Sequence, residues 1–316
     1  MMADDTAAHG VWHQGELAVQ SRAGVREKMA TIGARVIRDY MPDQHREFFT
    51  QLPMVILGAQ DMAGELWATA LFGKPGFIQS PAERLLTIDA QLPSHDPLAS
   101  SLYLGSSVGL LGIQLETRRR NRANGTIAQR EGGRIALSVE QSFGNCAKYI
   151  RRRYPVPNEG YGDFVRESFT TLIGPVVQLI RAADTFFIAS AFNDGEPGAN
   201  RGVDVSHRGG EPGFIGLDDQ HRLLVPDYVG NNFFNTIGNL AVDPRAGLLF
   251  LDFQRGHAVH LTARAEVVWR GDETQIWGEG DRMLRLTLVR GCIIYNASPY
   301  IWRMNESDEP ACTSRF

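Results

Sequence analysis

Two stretches of this 316-residue chain repeat each other in the same order at a nearly constant distance, and that most limits what the chain can fold into. Lys74-Pro-Gly-Phe-Ile78 returns as Glu211-Pro-Gly-Phe-Ile215, 137 positions on, and each is followed by an Arg-Leu-Leu run, at Arg84 and Arg222. Gly109-Leu-Leu111 returns as Gly247-Leu-Leu249, 138 positions on. Fixed spacing over several matches implies an internal duplication, so a small unit is built twice. With 43% apolar residues, the chain has enough material for two cores of ordinary domain size.

The repeated unit reads as β-structure. Met54–Leu57, Arg84–Ile88, Val108–Ile113 and Ile135–Val139 are short β-favouring runs separated by Gly, Pro, Asp and Asn. The second half repeats the style in Phe186–Ala189, Val203–Val205, Arg222–Val225, Gly247–Leu251, Val259–Leu261 and Ala265–Val268. Helical spacing is confined to two regions. Val25, Met29, Ile32, Val36 and Ile37 predict an amphipathic helix within Gly24–Tyr40, and Pro42 opens a shorter one through Phe49. Phe164–Arg181 predicts a helix between the two β-regions, reached through a surface linker, Arg151–Gly162, rich in Arg, Pro and Gly. The expected organisation is a helical segment (1–50), a first β-unit (51–150), a second (163–296) and a tail (297–316).

Charge and cysteine content narrow the partners. A net charge of −4 offers no concentrated basic surface for nucleic acid, which leaves a small molecule or a redox partner. Cys146, Cys292 and Cys312 lie far apart without metal-ligand spacing, so no metal site is expected and a reducing cytoplasm fits. No apolar stretch approaches the roughly 20 residues of a membrane-spanning helix, and the first 15 residues lack the basic start and apolar run of a signal peptide.

The densest polar constellation is in the second unit. Asp204-Val-Ser-His-Arg-Gly-Gly210 ends a strand, and Pro226-Asp-Tyr-Val-Gly-Asn-Asn232 leads through Asn235 and Thr236 into a short helix reaching Asn239. Hydroxyls, amides, one cation (Arg208) and the open N–H groups of a helix start can together hold a phosphate, with Gly209, Gly210 and Gly230 allowing close backbone approach. The same residues also describe an ordinary turn and cap. Ser206 and His207 are not a nucleophile–base pair, because neighbouring strand residues point to opposite faces.

In order, Asp-x-Ser-x-Arg-Gly-x-x-Pro-Gly-Phe, Val-Pro-Asp-x-x-Gly-Asn-Asn, Asn-Thr-Ile-x-Asn-Leu and Asp-Pro-Arg-Ala-Gly-Leu-Leu-Phe, spread over about 184–269, resemble the pyridoxamine 5'-phosphate oxidase-like FMN-binding split β-barrels. The resemblance implies a mainly β (α+β) fold of two tandem split barrels, an FMN cofactor, and Asp204, Ser206, His207, Arg208, Asn231, Asn232, Thr236 and Asn239 as cofactor-binding positions. It implies flavin-dependent oxidoreduction of an unidentified small molecule. A non-catalytic flavin or electron-transfer module, and a haem- or deazaflavin-binding barrel, are the alternatives, and His207, His257 and His260 keep haem open. His207 and Cys146 are the candidate catalytic groups. The first unit lacks the Ser-His-Arg and Gly-Asn-Asn segments and is expected to have lost its pocket. Family members usually dimerise, so the chain is expected to be a homodimer or to hold its partner barrel internally. Arg118-Arg-Arg-Asn-Arg122 reads as a solvated strand edge that could contact an anion. Trp269, Trp277 and Trp302 are core residues by default and could stack on a flavin ring.

Overall fold

The computed structural model describes residues 10–196, 198–272 and 277–305; Cys312 and the first nine residues lie outside them. Three helices come first: α1 (Gln14–Arg22), α2 (Arg26–Val36) and α3 (Asp43–Thr50). The first sheet follows, with β1 (Met54–Gln60), β2 (Leu66–Phe72), β3 (Ile78–Ala82), β4 (Leu85–Asp89), β5 (Ser107–Gln114), β6 (Arg119–Glu131) and β7 (Arg134–Gly144). After β8 (Tyr154–Pro157), β9 (Val165–Phe169) and α4 (Gly174–Ala182) comes the second, with β10 (Thr185–Phe192), β11 (Gly202–Gly209), β12 (Gly216–Leu217), β13 (Leu223–Pro226), α5 (Asn235–Val242), β14 (Arg245–Leu251), β15 (Ala258–Trp269) and β16 (Arg282–Tyr295). A final strand, β17 (Tyr300–Arg303), pairs with β8.

The chain is mainly β, and the two large sheets share one strand order. The first runs β2-β1-β5-β6-β7-β4-β3 and the second β11-β10-β14-β15-β16-β13-β12, with β9 added on β16. The sequence repeats occupy equivalent places: the Pro-Gly-Phe turns precede β3 and β12, and the Gly-Leu-Leu runs lie in β5 and β14.

The apolar runs of β1 and β10 are nearly continuous because both faces are covered. Alternate residues face different cores, as a period of two requires. Val55 and Leu57 enter the core of the first sheet, whereas Met54 and Ile56 enter a core shared with the second. Phe186 and Ile188 likewise enter the second core, and Phe187 and Ala189 the shared one.

Contacts across the shared core are reciprocal. Strand β11 lies on β5 so closely that a Cβ at Gly109 would sit 2.6 Å from the Val203 carbonyl oxygen; β2 lies on β14, where a Cβ at Gly247 would sit 2.5 Å from Trp67 Cα. Only glycine tolerates either approach. Arg122, paired with Leu111, donates from Nη2 to the Val205 carbonyl at 2.9 Å. His260, paired with Leu249 at the matching position, bonds through Nδ1 with the Ala68 carbonyl at 3.0 Å.

Several expectations need correction. Phe164–Arg181 is not one helix: Val165–Phe169 pairs with β16, and the helix starts only at Gly174, where Pro175 suits a first turn. Val259–Leu261 and Ala265–Val268 belong to one strand, β15, bent by a register shift at Thr262/Ala263. The linker contains β8, and its Arg153 is buried against Asp184. The first helix, α1, had no sequence signal because its apolar residues form no clear stripe; burial against α5 holds it.

Candidate functional site

Strand β11 sorts the predicted residues by face. Asp204, Ser206 and Arg208 are half-buried on one side, while Val203, Val205 and His207 turn the other way, toward the shared core. The His207 ring stands edge-on to Phe187, with centroids 5.8 Å apart, and its Nδ1 lies 2.9 Å from Arg120 Nη1. Burial, then the neighbouring Arg120 and Arg208 guanidiniums, hold the imidazole well below its usual pKa, so it is neutral.

Beside this strand a cavity of about 110 Å³ opens between the two sheets. The second half contributes Ser206, His207, Arg208, Asn231, Asn232 and Thr236 to its wall; the first contributes Leu111, Arg120, Arg122, Asn145, Cys146 and Tyr149. Six of the eight predicted cofactor positions, and both candidate catalytic residues, therefore converge on one space. Asp204 and Asn239 do not line it. They form the layer behind: Asn239 Nδ2 donates to Asp204 Oδ2 (2.9 Å) and to Ser190 Oγ (3.0 Å), and Asn239 Oδ1 lies 2.7 Å from His13 Nε2.

Arg122 ties the layers together. It is 2% exposed and donates to Asp204 Oδ1 at 2.8 Å and to Ser206 Oγ at 2.5 Å, in addition to the Val205 carbonyl. Asn124 Nδ2 adds a 2.7 Å bond to the same Asp204 oxygen. Within the Arg118–Arg122 run, Arg118 and Arg119 are exposed but Arg120 and Arg122 are not. Arg120 and Arg122, two apart on β6, share a face turned toward β11, and burial pulls the Arg120 guanidinium down to about 10. Alternation of arginines across a strand was the available signal, and net charge obscured it.

The loop before α5 is backbone-strained. Asn232 (φ 63°) and Phe234 (φ 62°) are left-handed, and so is Tyr149 (φ 63°) on the opposite wall. Such conformations in non-glycine residues cluster where surroundings over-determine the backbone. Tyr149 stacks on Tyr228 at 5.3 Å, and its hydroxyl donates to the Val229 carbonyl at 3.2 Å, so the two halves meet over one side of the cavity. Gly209 and Gly210 serve protein packing rather than ligand approach: side chains there would strike the Tyr149 carbonyl and the Phe214 ring, respectively.

Behind α5 lies the first helix. Asn235 Nδ2 donates to Glu16 Oε1 at 2.5 Å, and the His13 amide donates to Glu16 Oε2 at 3.0 Å. Glu16 is 3% exposed, and burial, with Asp204 nearby, pushes its carboxyl up to about 8.

The balance of charge favours an anion. Arg120, Arg122, Arg208 and Arg282 stand in or against the wall, opposed by Asp204 and by Asp227, which binds Arg208 Nη1 at 2.5 Å and Arg282 Nε at 3.0 Å. The expected free cation, Arg208, is thus already ion-paired. Even so, Arg122 Nε, Arg208 Nε and His207 Nε2 are buried without a hydrogen-bond partner, each of which carries a desolvation cost.

The matching region of the first sheet is closed. In the common register Leu71 stands where the second sheet has Arg208, and Thr69 where it has Ser206. Phe72 and Trp302 pack there at 6.1 Å, and Tyr300 donates to the Gly73 carbonyl. Trp302 is therefore core. Trp277 donates to the Phe214 carbonyl, Trp269 lies under the Arg22 and Arg282 guanidiniums, and none of the three lines the cavity.

The chain is thus mainly antiparallel β, with a polar cavity lined by three arginines between two like-ordered sheets. Residues 174–286 match the family model of pyridoxamine 5'-phosphate oxidase. Among solved structures, a candidate pyridoxamine 5'-phosphate oxidase from Lactobacillus delbrueckii is similar over 34% of this chain and 95% of its own, at 14% identity and TM-score 0.27. An FAD-binding protein from Mesorhizobium loti is similar over 41% and 98%, at 14% identity and TM-score 0.27. The heme storage protein HutZ from Vibrio cholerae is similar over 38% and 92%, at 15% identity and TM-score 0.27. No curated protein matches the chain. Among the described residues, no helix is long and apolar enough to cross a membrane, and no cluster of His, Cys, Asp and Glu is placed to hold a metal ion.

Proposed function

We propose that the cavity between the sheets holds the phosphate end of FMN and that the protein is a flavin-dependent oxidoreductase of a small molecule. The observation that carries this reading is the set of buried, unpartnered groups on Arg122, Arg208 and His207 around one space, with Arg208 and His207 in the segment that matches the family model. A phosphate supplies the acceptors that the two guanidiniums lack. The enclosed volume of about 110 Å³ is below the ~300–1,000 Å³ of whole-ligand pockets, so the phosphate end is the part these walls fit.

When bound, FMN supplies hydride or electron transfer, and the protein's share is placement and electrostatics. Ser206, Thr236, Asn231 and Asn232 offer hydroxyls and amides, and Arg122 holds the Ser206 hydroxyl in place. Tyr149 and Tyr228 shield one side from water. His207, neutral and turned toward the shared core, positions Arg120 rather than serving as a base. We read the two sheets as tandem split barrels forming a pseudo-dimer within one chain, the first supplying Arg120, Arg122 and Tyr149 to the single site. The shared strand order and the reciprocal contacts of Arg122 and His260 support this.

The test is the absorbance spectrum of the purified protein titrated with FMN, beside Arg208→Ala. A two-banded flavin spectrum on the wild type, with affinity at least tenfold weaker in the variant, is expected. Absence of flavin uptake by the wild type overturns the reading, and a Soret band on adding hemin would favour a haem-binding barrel.

A further inference from the structure

A second cavity, of about 450 Å³, lies away from the first, between α4, the start of β10 and the turn joining β14 to β15. Its lining includes the apolar Leu179, Leu251, Phe253 and Ile293, and also Asp184. Beside these it holds Arg153 and Thr185. Both are deeply buried, at 7% and 2% exposure, and each has a polar atom without a partner: Arg153 Nη1 and Thr185 Oγ1.

The neighbourhood explains why Arg153 is held there. Its Nη2 donates to Asp184 Oδ2 at 2.5 Å, and its guanidinium lies 4.5 Å from the centroid of the Phe253 ring. Asp184 is shared with Arg151, whose Nε is 3.3 Å from the same oxygen and whose far end also meets the exposed Glu211. The Asp184 carboxylate is therefore doubly countered, and the buried Nη1 of Arg153 has no acceptor of its own. Arg255 and Asp252, at the cavity's edge, form a pair with each other at 3.3 Å.

We propose that this cavity binds a carboxylate with an apolar body, its head on Arg153 and Thr185 and its chain along Leu179, Leu251 and Ile293. A carboxylate has two acceptor oxygens, one for the guanidinium edge and one for the hydroxyl after rotation about the Thr185 side-chain bond. The apolar wall supplies the burial energy for the chain. The inference is independent of flavin binding, since none of these residues lines the first cavity.

Isothermal titration with sodium octanoate tests it, with 1-octanol as the uncharged control. Wild type is expected to bind octanoate at least tenfold more tightly than octanol. Thr185→Val keeps the shape and breaks no hydrogen bond of the folded protein, so it should fold normally and bind octanoate about fivefold more weakly, one ordinary hydrogen bond. Arg153→Met should weaken it by at least about tenfold, the scale of a charged hydrogen bond, with Thr185→Val deciding if the Met variant fails to fold. No octanoate binding, equal binding of octanol, or wild-type affinity in Thr185→Val overturns the proposal.

Discussion

At the scale of single residues, Glu16 shows how burial sets chemistry. It sits between the helix that carries Asn235 and the acid of Asp204, and its carboxyl is raised from 4.5 to about 8. The folded protein thus holds this proton more tightly than the unfolded chain does. The stability it confers is full below about pH 4.5 and is lost progressively as pH rises to about 8. Glu16→Gln keeps a neutral side chain of the same shape, so the stability of wild type relative to this variant should fall across that window. Urea denaturation near both ends measures it, and equal pH dependence in the two proteins would show that Glu16 ionises as an ordinary carboxyl. Arg122 makes the complementary point. Its sequence context read as surface charge, yet its bonds to Asp204, Val205 and Ser206 make it one of the side chains that join the two halves at the site.

Among the elements, α1 and α5 depend on a close approach that sequence does not announce. A Cβ at Gly238 would lie 2.6 Å from the Glu16 backbone nitrogen, so α5 has no room for any larger residue. In an exposed helix, Gly→Ala stabilises by up to about 1 kcal/mol. Here Gly238→Ala should instead destabilise by about 1–3 kcal/mol, the usual cost of overpacking. Thermal melting decides between the two signs, and a raised melting temperature would mean that α1 does not seat on α5 in solution. Strand β9 teaches a related lesson, because its Val165–Phe169 segment becomes β-structure only through the free edge of β16.

For the molecule as a whole, the shared core makes the two sheets interdependent. β1 and β10 each send alternate side chains into it, and neither sheet could cover that face alone. The amides of β1, β5, β10 and β14 should therefore exchange with solvent at one common free energy, that of global unfolding. Native-state hydrogen exchange measures this; protection lost from one sheet well before the other would show two independent units.

Much of this was legible beforehand. Repeats at a constant spacing announced two like-built β-units, and short β-favouring apolar runs bounded by turn residues located β1, β5, β10 and β14, because run composition and turn residues are local signals. The polar motifs around Ser206, Arg208, Asn231, Asn232 and Thr236 located one wall of the cavity for the same reason. What only the tertiary structure decided is the opposite wall, built from Arg120, Arg122 and Tyr149, along with the seating of α1 and the ion pair that occupies Arg208. These join residues up to more than 200 positions apart, whose meeting is governed by how two sheets stack and what each must bury rather than by any local pattern.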